Sequence, residues 1–191
     1  RLFGVRSREL QHLVRHVQAI GESGRAHPAR RKQDVDPSPA AITSSLNRIL
    51  CRTGGPRSFF SCCYVLLSPD GSFVATVAGH PQILKFGTDG TVQERIGRGA
   101  YPLGVKSSMA WQEVRGQLAG GERLLLHSDG LTEARNAAEK EFGYTYVETI
   151  GGWHPAASAQ TLVDDLVNEL RFFMAGRPVE DDVSIAVIRK R

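Results

Sequence analysis

The chain has 191 residues with a hydrophobic content of 41%, which is long enough for a single domain of mixed class with its own core and too short to need two. The charge is mild, with 24 basic against 20 acidic residues, and does not indicate a nucleic-acid-binding protein. Most of the asymmetry lies in the first third of the chain, where a solvent-exposed loop explains the cluster of Arg25, Arg30, Arg31 and Lys32.

The cysteines and the hydrophobicity exclude two further classes of protein. Cys51, Cys62 and Cys63 form no CxxC pair, so they predict core residues of a reducing compartment and not a disulfide or zinc framework. No apolar stretch approaches the roughly 20 residues that cross a bilayer, and the amino terminus lacks the apolar centre of a signal peptide. We therefore expect a soluble, cytoplasmic protein without a membrane partner.

The first third of the chain predicts two amphipathic helices joined by an exposed connection. Apolar residues at helical spacing predict the first helix over residues 7–20. Residues 21–39 are rich in Gly, Pro, Arg and Lys and predict a long, disordered basic loop. Asp36 or Ser38 can cap a second helix, whose predicted buried face is Ile42, Leu46, Ile49 and Leu50.

The middle of the chain predicts antiparallel strands. The apolar run over residues 59–67 is typical of a strand covered on both faces, and Ser68-Pro69-Asp70-Gly71 predicts a hairpin turn into a strand over residues 72–78. Further strands are predicted over residues 83–86, 91–96, 111–114 and 123–127.

The last third predicts a loop, a helix and a strand. Ser158 caps the helix, whose apolar stripe is Leu162, Leu166, Val167, Leu170 and Phe173, and the strand covers residues 183–188. Two helices, then a run of strands, then a helix and a strand is the order of an α+β protein. We expect a layered structure with helices packed on stacked antiparallel sheets.

Carboxylates at two predicted strand ends are the main candidates for chemistry. Asp129 follows the apolar strand that contains Leu124-Leu125-Leu126, and the pair Asp181 and Asp182 directly precedes the last strand. Magnesium and manganese prefer oxygen ligands, and magnesium is often held by one or two carboxylates with water in the remaining positions. Asp129 and Asp181 fit that pattern, although Asp-Gly turns and Asp pairs before a strand also occur without a metal.

Five blocks of sequence carry a resemblance to a known family. They are Ser45-Leu46-Asn47-Arg48-Ile49-Leu50, Ala78-Gly79-His80-Pro81, Pro102-Leu103-Gly104-Val105, LLLHSDGLTE over residues 124–133, and EDDVSIAVIR over residues 180–189. In that order they resemble the phosphatase domains of stage II sporulation protein E and the sigma-factor-regulating phosphatases, within the PPM family of metal-dependent serine/threonine phosphatases.

The resemblance implies a fold, a metal site and a reaction. The fold is a sandwich of two antiparallel sheets with helices outside, and the site lies at one end of the sheets around two manganese or magnesium ions. Asp129 matches one metal-binding Asp of the family and Asp181 matches the last one, while Asp182 takes a supporting position. The implied reaction is hydrolysis of a phosphoserine or phosphothreonine by a water molecule that the cations activate. The implied substrate is a phosphorylated regulatory protein such as an anti-sigma-factor antagonist.

The resemblance fails at its amino-terminal side. Neither the Gly-Asp-Phe/Tyr-like segment nor the Asp-x-x-Gly-His-Gly-like segment of the family occurs in the 191 residues, although these supply further carboxylates and a carbonyl for the metal pair. The predicted helix over residues 7–20 resembles the helix that follows them. We therefore expect an amino-terminally truncated or divergent domain, or one whose remainder lies on another piece, with uncovered sheet edges that favour self-association.

Two interpretations stay open on the sequence. One is a phosphatase involved in signal transduction and sigma-factor regulation, and the other is a catalytically inactive phosphatase-like interaction module or fragment. The approach of Asp34 or Asp36 to Asp129 and Asp181 would favour the phosphatase, because two ions need more carboxylates than two.

Other polar residues have weaker claims to a function. His12 and His16 lie four residues apart on the first predicted helix, near Glu9, a spacing that zinc can use, but no further ligands accompany them and a polar helix face explains them. No Gly-x-Ser-x-Gly elbow of a serine hydrolase is present. Three residues are therefore expected only to shape the turns and loops around the strand ends: His80, His127 and Ser128.

Overall fold

A computed structural model of the chain describes residues 38–54, 58–97 and 99–191, within one compact unit, Pro37–Arg191. In chain order its elements are helix α1 (Pro39–Thr53), strands β1 (Cys62–Leu67), β2 (Ser72–Ala78), β3 (Ile83–Phe86), β4 (Val92–Ile96), β5 (Val114–Gln117) and β6 (Arg123–His127), helices α2 (Asp129–Thr132), α3 (Gly143–Gly152) and α4 (Ala159–Met174), and strand β7 (Ile185–Arg189). The first predicted helix and nearly all of the predicted basic loop lie outside the described residues.

Two antiparallel sheets form the centre of the described region. Their strand orders are β1-β2-β5 and β4-β3-β6-β7. Apolar side chains of both sheets share one buried cluster, which includes Phe73, Val77, Ile83, Ile96 and Leu124. Helix α1 packs on the first sheet, beside a second cluster of Ala78, Leu103 and Trp111. Helices α3 and α4 pack on the second sheet over a third cluster, which includes Leu84, Phe86, Leu125, Ile150 and Leu166. The predicted α+β sandwich of antiparallel sheets with helices outside is confirmed.

The start of α1 agrees with the prediction, and its buried face agrees in part. The Ser38 hydroxyl accepts a hydrogen bond from the Ala41 amide at 3.2 Å, and Pro39 occupies the first helical position, where no amide donor is needed. The buried positions of the helix are Pro39, Ile42, Thr43 and Asn47, whereas the predicted Leu46, Ile49 and Leu50 are only half-buried.

The most buried polar residue of α1 is Asn47, which the sequence did not single out. Its side-chain oxygen accepts from the Gly104 amide at 2.8 Å, and its side-chain nitrogen donates to the Lys106 carbonyl at 3.0 Å. A buried amide side chain is stable when its hydrogen bonds are made. Asn47 therefore fastens α1 to the loop after Leu103.

The predicted hairpin turn between β1 and β2 is confirmed. The Ser68 amide donates to the Ser72 carbonyl at 2.9 Å, and Gly71 closes the turn at a φ of 93°. A Cβ atom on Gly71 would lie 2.4 Å from the carbonyl oxygen of Leu118. Glycine is needed here both for its left-handed backbone and for this close approach.

The burial of β1 differs from the prediction. The strand begins at Cys62 instead of Phe59 and forms one edge of its sheet. Leu66 and Leu67 are 47% and 40% exposed, so the prediction of a strand covered on both faces is wrong. An apolar run reports hydrophobicity but not the position of the strand in its sheet, and among the described strands β1 has a neighbour on one side only.

Two helices occupy part of the region that the sequence assigned to a loop between β6 and α4. Helix α2 is a single turn, and α3 buries Val147 and Ile150 against the second sheet. A further shift affects β5, which begins at Val114, the last residue of its predicted range. Trp111 lies before the strand and is buried, and its ring N–H donates to the Tyr101 carbonyl at 2.9 Å.

Helix α4 agrees closely with the sequence. The Ser158 hydroxyl accepts from the Thr161 amide at 3.1 Å, and the buried stripe is Leu162, Leu166, Leu170 and Met174. Val167 and Phe173, which the prediction placed in the stripe, are half-buried. In the part of the chain that the structure describes, no helix has both the length and the hydrophobicity to cross a membrane.

The three cysteines are free thiols, but they are half-buried and do not belong to the core that the sequence predicted for them. Burial raises the pKa of Cys62 to about 11, and burial together with the charge of Cys62 raises the pKa of Cys63 to about 12. Both side chains are therefore neutral thiols at physiological pH, and neutral thiols are poor nucleophiles and metal ligands.

Candidate functional site

Strand β6 carries Asp129 to one end of the second sheet. The strand lies between β3 and β7, and four of its five residues are buried. The chain leaves the sheet at Ser128, which has extended backbone angles, and Asp129 is the first residue of α2. A carboxylate in this position has a rigid base, because the strand before it is held by hydrogen bonds on both sides.

Strand β7 brings Asp181 to the same end of the sheet. The two strands are antiparallel neighbours, and His127, the last residue of β6, pairs with Ile185, the first residue of β7. The segment that leads into β7 therefore lies beside the segment that leaves β6. The structure brings the backbone segments of Asp129 and Asp181 together, whereas the sequence placed these residues at separate strand ends.

Ser128 joins the two segments directly. Its hydroxyl donates to the Asp182 carbonyl at 2.8 Å and accepts from the Ser184 amide at 2.8 Å. Its own amide donates to the Ser184 carbonyl at 2.9 Å. We call the two bonds of the Ser128 hydroxyl, to Asp182 and to Ser184, the serine clamp.

Gly130 allows the two segments to touch. A Cβ atom on this residue would lie 2.7 Å from the carbonyl oxygen of Asp182 and 3.2 Å from that of Asp181. The first of these distances is shorter than real side chains adopt, so the backbone before β7 packs against the bare Cα of Gly130.

The candidate carboxylates face solvent and are not neutralised. Asp129 accepts from the Gly130 amide at 3.1 Å, and Asp181 accepts from the Asp182 amide at 2.7 Å. Within the described residues neither forms an ion pair.

An open depression lined by residues 179–183 lies on this surface. Exposed carboxylates on two neighbouring segments suit a hard divalent cation that keeps several waters. No cluster of three or more His, Cys, Asp or Glu suited to a metal occurs in residues 38–54, 58–97 and 99–191.

His127 lies directly behind the candidate carboxylates. It is 2% exposed, its Nδ1 is 3.0 Å from the Ser128 carbonyl oxygen, and its Nε2 has no hydrogen-bond partner in the described part of the chain. The ring makes an edge contact with Tyr144 at 5.6 Å between centroids. Burial lowers the pKa of His127, and nearby His80 lowers it further. The imidazole is therefore neutral near pH 7 and donates from Nδ1.

The other residues considered on the sequence either have structural contacts or lie outside the described residues. His80 is half-buried, and its Nδ1 lies 3.1 Å from the Pro81 carbonyl oxygen, which agrees with a turn residue. Asp182 contributes its backbone to the serine clamp. Five residues considered earlier, Glu9, His12, His16, Asp34 and Asp36, lie outside the described residues, so the predictions about them stay predictions.

Comparison with known proteins identifies the family. The profile described as stage II sporulation protein E (SpoIIE) matches residues 15–191. The chain belongs to the SpoIIE family. The resemblance predicted from the sequence blocks is therefore confirmed. No curated protein matches the chain in sequence.

Solved structures related to the SpoIIE family share the fold of the chain. The PP2C phosphatase domain of SpoIIE from Bacillus subtilis, with a fragment of its regulatory domain, is 18% identical at a TM-score of 0.71, over 94% of this chain and 48% of that chain. A manganese-presoaked structure of the same phosphatase domain is 20% identical at a TM-score of 0.58, over 100% and 75%.

Two further structures come from other bacteria. The SiaA-PP2C domain of Pseudomonas aeruginosa is 20% identical at a TM-score of 0.69, over 81% of this chain and 60% of that chain. The RsbU and RsbW domains of a Mycobacterium tuberculosis protein are 21% identical at a TM-score of 0.63, over 98% and 49%. Compared with the first structures it matches, the chain spans about half to three fifths of their length.

One residue and several contacts around the candidate site were missed on the sequence. Tyr144 lies on α3, a helix that was not predicted, and its pKa is raised by burial and by the charges of Asp129 and Glu133. The contacts of Ser128 with Ser184 and of Gly130 with Asp182 join segments far apart in the chain. The hydrophobicity of β6 and β7 was available as a signal, but their register was not, so the sequence could not pair these residues.

Proposed function

We propose that the chain is a metal-dependent protein serine/threonine phosphatase in which Asp129 and Asp181 hold a manganese or magnesium ion. The observation that carries the proposal is the pair of unneutralised carboxylates at neighbouring strand ends, whose loops are joined through Ser128. Family membership supports the reaction class, because the Bacillus subtilis relatives are named as phosphatase domains.

The metal follows from the chemistry of the donors. Both candidate ligands are exposed carboxylates, and oxygen donors of this kind suit manganese and magnesium better than softer ions. Bound there, such a cation would supply a Lewis acid for the phosphoryl oxygens and a water of lowered pKa. One relative was presoaked with manganese, which favours that ion for the first test. A second ion would need ligands from outside the described residues.

The proposed substrate is a phosphoserine or phosphothreonine on a regulatory protein, such as an anti-sigma-factor antagonist. The open form of the surface at residues 179–183 suits a phosphate that is carried on a protein, because an enclosed pocket would exclude the polypeptide around it. The Mycobacterium tuberculosis relative carries an RsbU domain and an RsbW domain in one structure, which supports a protein partner. A cytoplasmic location and the absence of nucleic-acid and membrane partners stay predictions.

A second candidate function is a catalytically inactive interaction module. It is favoured by one observation, namely that the described residues offer two carboxylates and no third ligand nearby. A single ion held by two carboxylates binds weakly compared with a two-metal site, and the two interpretations therefore differ in metal affinity and in turnover.

The deciding experiment combines manganese calorimetry with hydrolysis of an aryl phosphate. We expect Asp129→Asn and Asp181→Asn each to weaken manganese binding by on the order of tenfold or more and to abolish turnover, because each removes one of two charged ligands. The matched control is Asp165→Asn on α4, which removes a carboxylate from the surface of another helix. Binding that is unchanged in both site variants, together with no turnover in the wild type, would support the inactive module instead.

A further inference from the structure

A serine at the start of a helix normally caps it, but Ser128 does not. It occupies the N-cap position of α2, yet its side chain makes no hydrogen bond to the amides of that helix. The hydroxyl is instead used for Asp182 and Ser184, in the segment before β7. The usual preference of helix starts for serine therefore does not explain this residue.

The serine clamp lies at the end of the sheet that carries both candidate ligands. Asp129 follows Ser128 directly, and Asp181 precedes Asp182, whose carbonyl the hydroxyl binds. Because the hydroxyl donates to one residue of the loop and accepts from another, it fixes both the position and the direction of that segment. Since β7 is an edge strand, the segment before it has no neighbour on its other side in the described sheet.

We propose that Ser128 is the positioning residue of the metal site and sets the separation between the Asp129 and Asp181 carboxylates. Its hydroxyl would touch neither substrate nor metal and would act only through the backbone of Asp182 and Ser184. The proposal rests on the proposed function in one respect, namely that these two carboxylates are the ligands. Residues that orient metal ligands typically change metal affinity by about 10–100-fold when they are removed.

A substitution at Gly130 offers a second, independent way to change the separation between the two carboxylates. A methyl group there would meet the Asp182 carbonyl oxygen at 2.7 Å and would push the segment away without removing any hydrogen-bonding group. Alanine is otherwise well suited to the helical backbone of α2. Gly130→Ala should therefore move the two carboxylates apart while the chain keeps its fold.

The first test is backbone amide hydrogen exchange by NMR on the full chain without metal. We expect Ser128→Ala to raise the exchange rate of the Ser184 amide by on the order of tenfold, because that amide loses its acceptor. Ser128→Thr keeps the hydroxyl and should restore protection. The matched control is Ser184→Ala, since Ser184 enters the serine clamp only with its backbone. An unchanged Ser184 exchange rate in Ser128→Ala would overturn the proposal.

The second test is manganese affinity of the same variants by calorimetry. We expect Ser128→Ala and Gly130→Ala to weaken binding by about 10–100-fold and Ser128→Thr to bind like the wild type. If the wild type binds manganese and Ser128→Ala binds it equally tightly, the hydroxyl is only structural and the inference fails. If the wild type binds no manganese, the proposed function fails, and the exchange rates alone then decide whether Ser128 holds the two segments together.

Discussion

His127 is the titratable side chain most enclosed by the protein near the site. Its Nε2 atom is buried without a partner in the described residues, and the groups that influence its charge are the Ser128 carbonyl, His80 and Asp129. Burial is the largest influence and lowers the pKa of the imidazole. A histidine that resists protonation in the folded chain makes the stability of the protein depend on pH.

The direction of that dependence can be predicted. Because the pKa of His127 is lower in the folded than in the unfolded chain, its contribution to stability is fully present above the unfolded value of about 6.5 and is lost as the pH falls below it. We expect the melting temperature of the wild type to fall more steeply than that of His127→Gln between about pH 7.5 and pH 5.5. Thermal unfolding followed by circular dichroism measures both slopes.

The comparison between variant and wild type isolates this residue. His80 and Asp129 are present in both proteins, so the two proteins differ only in the side chain at position 127. Parallel pH profiles for His127→Gln and the wild type would show that His127 keeps its ordinary pKa in the folded chain.

At the scale of elements, local patterns predicted the bounds of three strands closely but did not predict the helix α3. The bounds of β2, β3 and β6 agree with the ranges predicted from their apolar residues and the turns around them. Helix α3 has the sequence GYTYVETIGG, in which Gly, Thr and Tyr are weak helix formers, and Phe142 before it provides no cap. Its helical form depends on packing Val147 and Ile150 against the second sheet, which no local pattern reports.

The candidate site was likewise predictable only where local sequence patterns report it. Asp129 and Asp181 were found because each lies at a strand end, which is a local property of the sequence. Ser128 was noted only as a neighbour of Asp129, because its partners lie in a segment that becomes adjacent through the pairing of β6 with β7. Long-range hydrogen bonds depend on register, and register is a property of the folded sheet.

Strand β1 leads to a prediction about association. Among the described strands it is the edge of its sheet, it contains no charged residue, and Leu66 is 47% exposed. Unprotected apolar edges favour pairing with another chain, and a lysine on the edge opposes it. We expect Leu66→Lys to shift the protein towards the 20.9 kDa monomer in sedimentation velocity at high concentration.

Phe59→Lys is the matched control for this prediction. Phe59 is 64% exposed but lies outside β1, so its substitution removes apolar surface and leaves the strand edge unchanged. Equal effects of both substitutions would indicate general hydrophobic contact, and a wild type that is monomeric at all concentrations would contradict self-association through the edge.

At the scale of the whole molecule, the second sheet has opposite charges at its two ends. Asp129 and Asp181 lie where β6 ends and β7 begins, whereas Arg123 and Arg189 face each other at the opposite ends of the same strands. Arg123 is buried, with burial and the charge of Arg189 lowering its pKa. Its guanidinium packs 5.7 Å from the ring centre of Phe86.

Arg123 connects the sheet to the end of α3. Its two terminal nitrogens donate to the carbonyl of Gly151 at 2.9 Å and to that of His154 at 3.2 Å. We expect Arg123→Met, which keeps most of the volume, to lower the free energy of unfolding by about 1–3 kcal/mol, because both carbonyls lose their donor. Urea denaturation measures the change.

The control for Arg123→Met is Arg115→Met. Arg115 lies exposed on β5 and pairs with Glu113, so its loss should change stability by less than about 1 kcal/mol. An Arg123→Met variant as stable as the wild type would mean that the cost of burying the guanidinium cancels its hydrogen bonds.

The pairing of β6 with β7 has a consequence for the order of folding. These strands are neighbours in the sheet, but α2, α3 and α4 lie between them in the chain, so their pairing closes a long loop and requires the intervening chain to lose entropy. Contacts between distant segments generally form later than local ones. The two carboxylates should therefore meet only after α3 and α4 have packed, and a metal ion could stabilise the finished domain but could not nucleate it.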